Sequence, residues 1–209
     1  MANSNIETKA VKVALLGDTE VGKTAICHSF LGVEFILGGT TTVGIDRLDK
    51  KIKLKNSKEI KLIVWDTAGQ ERFRSAAFKT IKSVQGIALV FDVTSKKTFE
   101  NVNLWLEEIK EHFDNPCLVL LGNKVDIEKE KWEVTKEEIE QFAKKKNMAY
   151  FETSAKTSKG INESFVHLAN IAYDKIEKHK KEEPEEDNDD NKIEIKPENK
   201  KKKEKKKPC

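Results

Sequence analysis

Short, almost wholly apolar runs alternate along this chain with longer stretches in which apolar residues return every three or four positions. The short runs are VKVALL (11–16), IKLIVW (60–65), GIALVF (86–91), CLVLLG (117–122) and MAYFET (148–153). Their length and their β-branched and aromatic content predict strands, most of them buried on both faces. In FENVNLWLEEIKEHF, the residues Phe99, Val102, Leu106, Ile109 and Phe113 share one helical face, and Ile161, Phe165, Leu168, Ala172 and Ile176 do the same in a last helix. Thr135 followed by Glu138 reads as a capping box that opens a further helix. Strands alternating with helices predict an α/β domain, a mostly parallel sheet with helices on both faces. One segment breaks the alternation. RLDKKIKLKNSKEIKLIVW reads as two strands joined by a polar turn near Asn56, so the sheet is expected to have one antiparallel edge strand.

Composition limits what the rest of the chain does. The 209 residues hold one domain of ordinary size and a tail. The net charge of +3 is too balanced to imply a polyanionic partner. Three cysteines, Cys27, Cys117 and Cys209, are too few and too scattered for a disulfide framework, and the first two read as small buried hydrophobes. No run approaches the roughly 18 apolar residues of a membrane span, and MANSNIETKA does not resemble a signal peptide. The balance hides an asymmetry near the C-terminus. Residues 182–190, EEPEEDNDD, are acidic, whereas the chain from Lys192 onward holds nine lysines and three glutamates. With no aromatic and few apolar side chains, 180–209 is expected to stay unpacked. The reading is a flexible 1–8, a domain over 9–178, and a tail over 179–209 ending in Cys209.

In sheets of this kind ligands bind at the carboxyl ends of the strands, so the residues after each strand carry the chemistry. GDTEVGKT (17–24) fits G-x-x-x-x-G-K-[ST]. Gly17 and Gly22 let backbone amides close around phosphate oxygens, Lys23 reaches the β- and γ-phosphates, and the Thr24 hydroxyl ligates Mg²⁺. WDTAGQE follows the third strand. There Asp66 can hold Mg²⁺ through water, the Gly69 amide can reach a γ-phosphate, and Gln70 can orient an attacking water. GNKVD follows the fifth strand. Asp126 offers two acceptors to the paired N1–H and N2–H₂ donors of guanine, Asn123 can tie this loop to the phosphate loop, and the Lys124 stem can cover the base. TSAK (153–156) follows the sixth, with the Ala155 amide available to guanine O6.

These motifs, together with TTVGID and WDTAGQERFRS, make residues 9–178 resemble a Ras-like small GTPase, and within that superfamily the Rab family. The resemblance implies a six-stranded P-loop small-GTPase fold, hydrolysis of GTP to GDP with Mg²⁺, and a switch between GTP and GDP conformations. It carries nucleotide contacts onto Thr19, Glu20, Val21, Gly22, Lys23, Thr24, Ala25, Phe35, Thr42, Gly69, Asn123, Lys124, Asp126, Ser154, Ala155 and Lys156. It carries metal contacts onto Thr24, Thr42 and Asp66, and catalysis onto Gln70, Lys23 and Thr42. Thr42 matches the threonine that touches Mg²⁺ and the γ-phosphate when GTP is bound, and Phe35 the aromatic that leans on the base. The implied partners are a guanine-nucleotide exchange factor, a GTPase-activating protein, effectors and a GDP-dissociation inhibitor. No built-in arginine stands ready for the transition state, since Arg72 and Arg74 read as a solvated face, so unaided turnover is expected to be slow.

The chain departs from the family pattern at several points. Arg47 replaces an effector-facing aromatic, Thr80 and Ile81 stand where a tyrosine pair is usual, and of that aromatic set Trp65 remains. Thr19 and Glu20 replace glycines found in Ras itself. A carboxylate near phosphates must point away, and on Glu20 rests a second reading, a nucleotide-bound interaction module with little hydrolysis. His28, His112, His167 and His179 form no ligand cluster, Trp105 reads as core or helix surface, and Trp132 receives no role. By resemblance Cys209 is a prenylation candidate with a polybasic second signal, although no C-a-a-X context surrounds it. That places a monomer at the cytosolic face of an intracellular or plasma membrane. A nucleic-acid partner is not expected, because no aromatics interleave with the lysines.

Overall fold

The computed structural model describes residues 9–35, 44–67 and 74–182, giving only the backbone at 74–77 and 181–182. Six strands form one sheet: β1 (Ala10–Leu16), β2 (Ile45–Lys53), β3 (Glu59–Thr67), β4 (Gly86–Asp92), β5 (Cys117–Asn123) and β6 (Ala149–Glu152). They lie in the order β2-β3-β1-β4-β5-β6, and every pairing is parallel except β2 with β3. The antiparallel hairpin at one edge and the parallel body agree with the sequence reading. The helices are α1 (Lys23–Leu31), α2 (Arg74–Ile81), α3 (Lys96–Glu100), α4 (Val102–His112), α5 (Lys136–Lys145) and α6 (Ile161–Glu182). α6 runs past Lys178, where the sequence reading ends the domain.

The strands are apolar throughout because both faces are covered. Val11, Val13 and Leu15 of β1 join Val90, Val119 and Leu121 beneath Ile26, Phe30, Phe165, Leu168 and Ala172 of α1 and α6. Ala14 and Leu16 point the other way and pack with Leu89, Phe91 and Leu120 beneath Phe78, Phe99, Trp105, Ile109 and Ile139 of α2–α5. All seven residues of the central β4 are buried. Phe30 and Phe165 stack at 4.1 Å between centroids and join α1 to α6.

Three local details differ from the sequence pattern. The helix expected from Phe99 to Phe113 is interrupted at Asn101, which keeps helical dihedrals (φ −66°, ψ −14°), so α3 and α4 still present one apolar face. Only half of the capping box forms: Thr135 accepts from the Glu138 amide at 3.2 Å, while the Glu138 carboxylate turns to Lys96. Cys27 is buried as expected, whereas Cys117 at the start of β5 is only half-buried.

Candidate functional site

The loops after β1, β3, β5 and β6 open at the same end of the sheet because these strands run parallel. The loop after β1 turns into α1 without room for side chains at two points. A Cβ on Gly17 (φ 147°) would lie 2.1 Å from the Val90 carbonyl oxygen, and one on Gly22 (φ 96°) 2.4 Å from the Asn123 amide nitrogen. The loop is thus pressed against β4 on one side and the β5 loop on the other. Gly22 is also the N-cap of α1, so the helix begins with its amides facing the loop. Lys23 is 5% exposed, and its ammonium donates to the carbonyls of Gly17 at 2.9 Å and Asp18 at 2.7 Å.

Asp66, 1% exposed at the end of β3, accepts from the Thr24 hydroxyl at 2.6 Å. Burial pushes its carboxyl up, while the Thr24 bond and the nearby Lys23 ammonium pull it back. Thr67 donates to the Leu15 carbonyl at 2.6 Å and locks β3 to β1 beside it.

Asn123, 1% exposed, donates its amide to the Val21 carbonyl at 2.8 Å, the link expected between the two loops. Lys124, with φ 69°, pairs with Asp92 at 2.6 Å, and Asp92 in turn accepts from the Thr94 amide and hydroxyl. Asp126 accepts from the Ser154 hydroxyl at 2.6 Å, which joins the β5 and β6 loops. Ala155 is 6% exposed, and Lys156 lies on the surface. Glu152 is held below the usual carboxylate range by Lys159, bonded at 2.8 Å, which pins the loop from its far side.

The structure therefore brings together Val21, Gly22, Lys23, Thr24, Asp66, Asn123, Lys124, Asp126, Ser154 and Ala155. Phe35 lies at the end of the described segment after α1, packed against the α1–α6 core. Thr42, Gly69, Gln70, Arg72 and Cys209 lie outside the described residues. Glu20 is exposed with φ 65°, a left-handed conformation costing a non-glycine roughly 1–2 kcal/mol, so a glycine at this place relieves strain that Glu20 tolerates. Arg47 stands over the Trp65 ring at 5.9 Å and shares Asp49 with Lys61, a charged face where the family pattern has an aromatic. Of the pair at 80 and 81, Ile81 is fully buried and Thr80 exposed.

Sequence reasoning missed several contributors. Asp92 anchors Lys124, Asp18 engages α4, and Trp132, which belongs to no motif, donates to the Ile127 carbonyl at 3.0 Å and closes the loop behind Asp126. Trp105 proves to be core. His112 and His167 sit beside Phe78 and Phe151, and no group of three or more metal-ligating His, Cys, Asp or Glu side chains occurs among the described residues.

Comparison with known proteins agrees with this geometry. The model of the Ras family matches residues 12–174. The Ras-related protein SEC4 of Saccharomyces cerevisiae is 39% identical over 171 residues, 81% of this chain and 78% of that protein. The Ras-related protein Rab-10 of Diplobatis ommata is 42% identical over 159 residues, 76% and 78%. The Ras-related protein Rab-26 of Bos taurus is 42% identical over 162 residues, 77% of this chain but 62% of that longer protein. With the phosphate-loop, Asp66, Asn123 and Asp126 loops gathered at one end of a six-stranded sheet, the chain belongs to the Ras family of small GTPases and, within it, to the Rab branch.

Proposed function

We propose that the four gathered loops act as one pocket for guanine nucleotide, in which this Rab-type GTPase hydrolyses GTP and so switches vesicle traffic. Two bonds carry this reading: Thr24 to Asp66, and Asn123 to Val21. Together they draw the loops after β1, β3 and β5 to a common point. In this reading the amides of residues 19–25 and the Lys23 ammonium receive the phosphates. The carboxylate of Asp126, oriented by Ser154, pairs with the two guanine donors, and the Ala155 amide meets O6. The Lys124 stem, fixed at its far end by Asp92, covers one face of the base. Gln70 and Thr42 act on the γ-phosphate side, where Gln70 orients the attacking water.

The Thr24 hydroxyl and Asp66 carboxylate are hard oxygen donors within 2.6 Å of each other, which suits Mg²⁺. When bound there with Thr42, it would neutralise charge building on the β- and γ-phosphate oxygens. The chain supplies positioning and little covalent chemistry, so an arginine from a GTPase-activating partner would add roughly 10³–10⁵ in rate. The exposure of Glu20 leaves the phosphate loop clear, which favours hydrolysis over a silent binding module. An exchange factor, a GDP-dissociation inhibitor and effectors complete the set of partners. The protein acts as a monomer, with 9–178 as its catalytic domain and 179–209 as its tail.

The tail completes the switch. No helix among the described residues is long and apolar enough to cross a membrane. A prenyl group on Cys209 and the lysines of 192–207 would act as two weak anchors, each lysine adding about 1 kcal/mol near an anionic leaflet. This places the GTPase on a cytosolic membrane face.

Substituting Asp126→Asn presents a donor to the guanine donors. GTP affinity is expected to fall at least a hundredfold and that for xanthosine triphosphate to rise, as titration with both nucleotides would reveal; unchanged GTP binding would exclude Asp126 as the base reader.

Gln70→Leu is expected to bind GTP normally and to slow single-turnover hydrolysis tenfold or more. Wild-type turnover in that variant would remove Gln70 from the mechanism.

Expressed in a prenylating cell, the protein is expected to float with anionic liposomes and to show a lipid mass increment on Cys209. Cys209→Ser should abolish both while sparing GTP binding. Flotation of unmodified protein would leave the anchoring to the lysines.

A further inference from the structure

The phosphate loop is held from a second side by a residue outside the set that contacts nucleotide. Asp18 follows Gly17 at the start of the loop, and both its carboxylate oxygens are engaged by one helical stretch. Oδ1 accepts the indole N–H of Trp105 at 2.8 Å, and Oδ2 accepts the Asn101 carboxamide N–H at 2.6 Å. Trp105 is 2% exposed, and a buried indole N–H needs an acceptor. Here the acceptor is a carboxylate, which makes the shorter and stronger kind of hydrogen bond. The backbone of the same residue has a different partner: the Asp18 carbonyl accepts from the Lys23 ammonium at 2.7 Å. Fixing the Asp18 side chain therefore fixes the peptide plane that steers Lys23.

Trp105 also meets a second element. Its ring contacts Phe78 of α2 edge to face, with centroids 6.5 Å apart, and Phe78 packs in the same manner on Phe113. α2 begins four residues after Gln70. One indole thus touches the phosphate loop through its N–H and, through its ring, the helix that begins four residues after Gln70.

We propose that Asp18 is a positioning residue for Lys23, held by Asn101 and Trp105, and that Trp105 links the packing of α2 to the phosphate loop. The proposal rests on the assignment of Lys23 to the phosphates. Loss of the indole N–H removes one of two anchors, frees the peptide plane at residue 18, and lets the ammonium drift from the phosphate position. Nucleotide retention and hydrolysis then suffer together, although neither Asp18 nor Trp105 touches the reacting atoms.

The test uses the full-length protein. Trp105→Phe keeps a ring against Phe78 and deletes the N–H. Asp18→Asn keeps the size but turns one acceptor into a donor facing Asn101. Release of a fluorescent GDP analogue and single-turnover GTP hydrolysis are measured beside the urea unfolding midpoint. Each variant is expected to release GDP about tenfold faster, and the double variant is expected to fall well short of the product of the two effects, because Trp105 and Asn101 hold the same carboxylate. In ¹⁵N-indole NMR spectra, the Trp105 N–H signal is expected to move in Asp18→Asn, and to differ between GDP and a non-hydrolysable GTP analogue. The Trp132 signal, whose N–H donates to a backbone carbonyl, should stay in place. Wild-type release rates in both variants, multiplying effects in the double variant, or an indole signal indifferent to Asp18 would overturn the proposal. A wild-type protein that retains no GDP would instead overturn the underlying nucleotide assignment.

Discussion

The Asn123 amide and the Val21 carbonyl meet at 2.8 Å where two loops from non-adjacent strands converge, and the proposed pocket is built around this contact. Both residues are almost fully buried, so the bond has little competition from water. Such a bond contributes about 1 kcal/mol net, but leaving a buried partner unsatisfied costs about 1–3 kcal/mol. The contact also dictates sequence nearby. Gly22 must lack a side chain because the Asn123 amide occupies that space, and the left-handed φ of Gly22 starts α1 toward the pocket. On its other side, Asn123 lies beside the Thr153 hydroxyl, which bonds the Gly122 carbonyl at 3.3 Å and brings the TSAK loop into register.

From that point the site is assembled as a set of clamps on short loops. Thr24 and Asp66 join the loop after β1 to β3, Ser154 and Asp126 join the loops after β5 and β6, and Asp92 fixes Lys124. The sheet supplies the rigidity. Its central strands are buried on both faces, so their carboxyl ends are set by the core and the loops inherit those positions. The proposed site therefore sits where packing ends, in backbone carbonyls and amides gripped by a few polar side chains.

Much of this is legible in the sequence because the loops carry fixed spacings. GDTEVGKT, GNKVD and TSAK identify their residues by pattern alone, and the polar turn near Asn56 announces the antiparallel edge. What stays hidden is long-range. The order of the parallel strands depends on which cores they share, and no local pattern encodes it. The bond between Asp18 and Trp105 spans 87 residues, and Trp105 on its own is only an apolar position on a helix. Asp92, at a strand end, looks like any polar stop. Trp132 has no periodic neighbours, so only the fold reveals the Ile127 carbonyl it serves. The left-handed turn at Glu20 is likewise invisible in the sequence, because nothing in the local pattern shows a positive φ at a glutamate.

If the Asn123 contact organises the pocket, then loosening it should release phosphate and base together. The most direct measurement is the dissociation rate of GDP from Asn123→Ala in the presence of Mg²⁺, beside its unfolding midpoint. The account predicts release at least tenfold faster than wild type, corresponding to about 1.4 kcal/mol or more, in a protein that still folds cooperatively. A folded Asn123→Ala that holds GDP as long as wild type would contradict it.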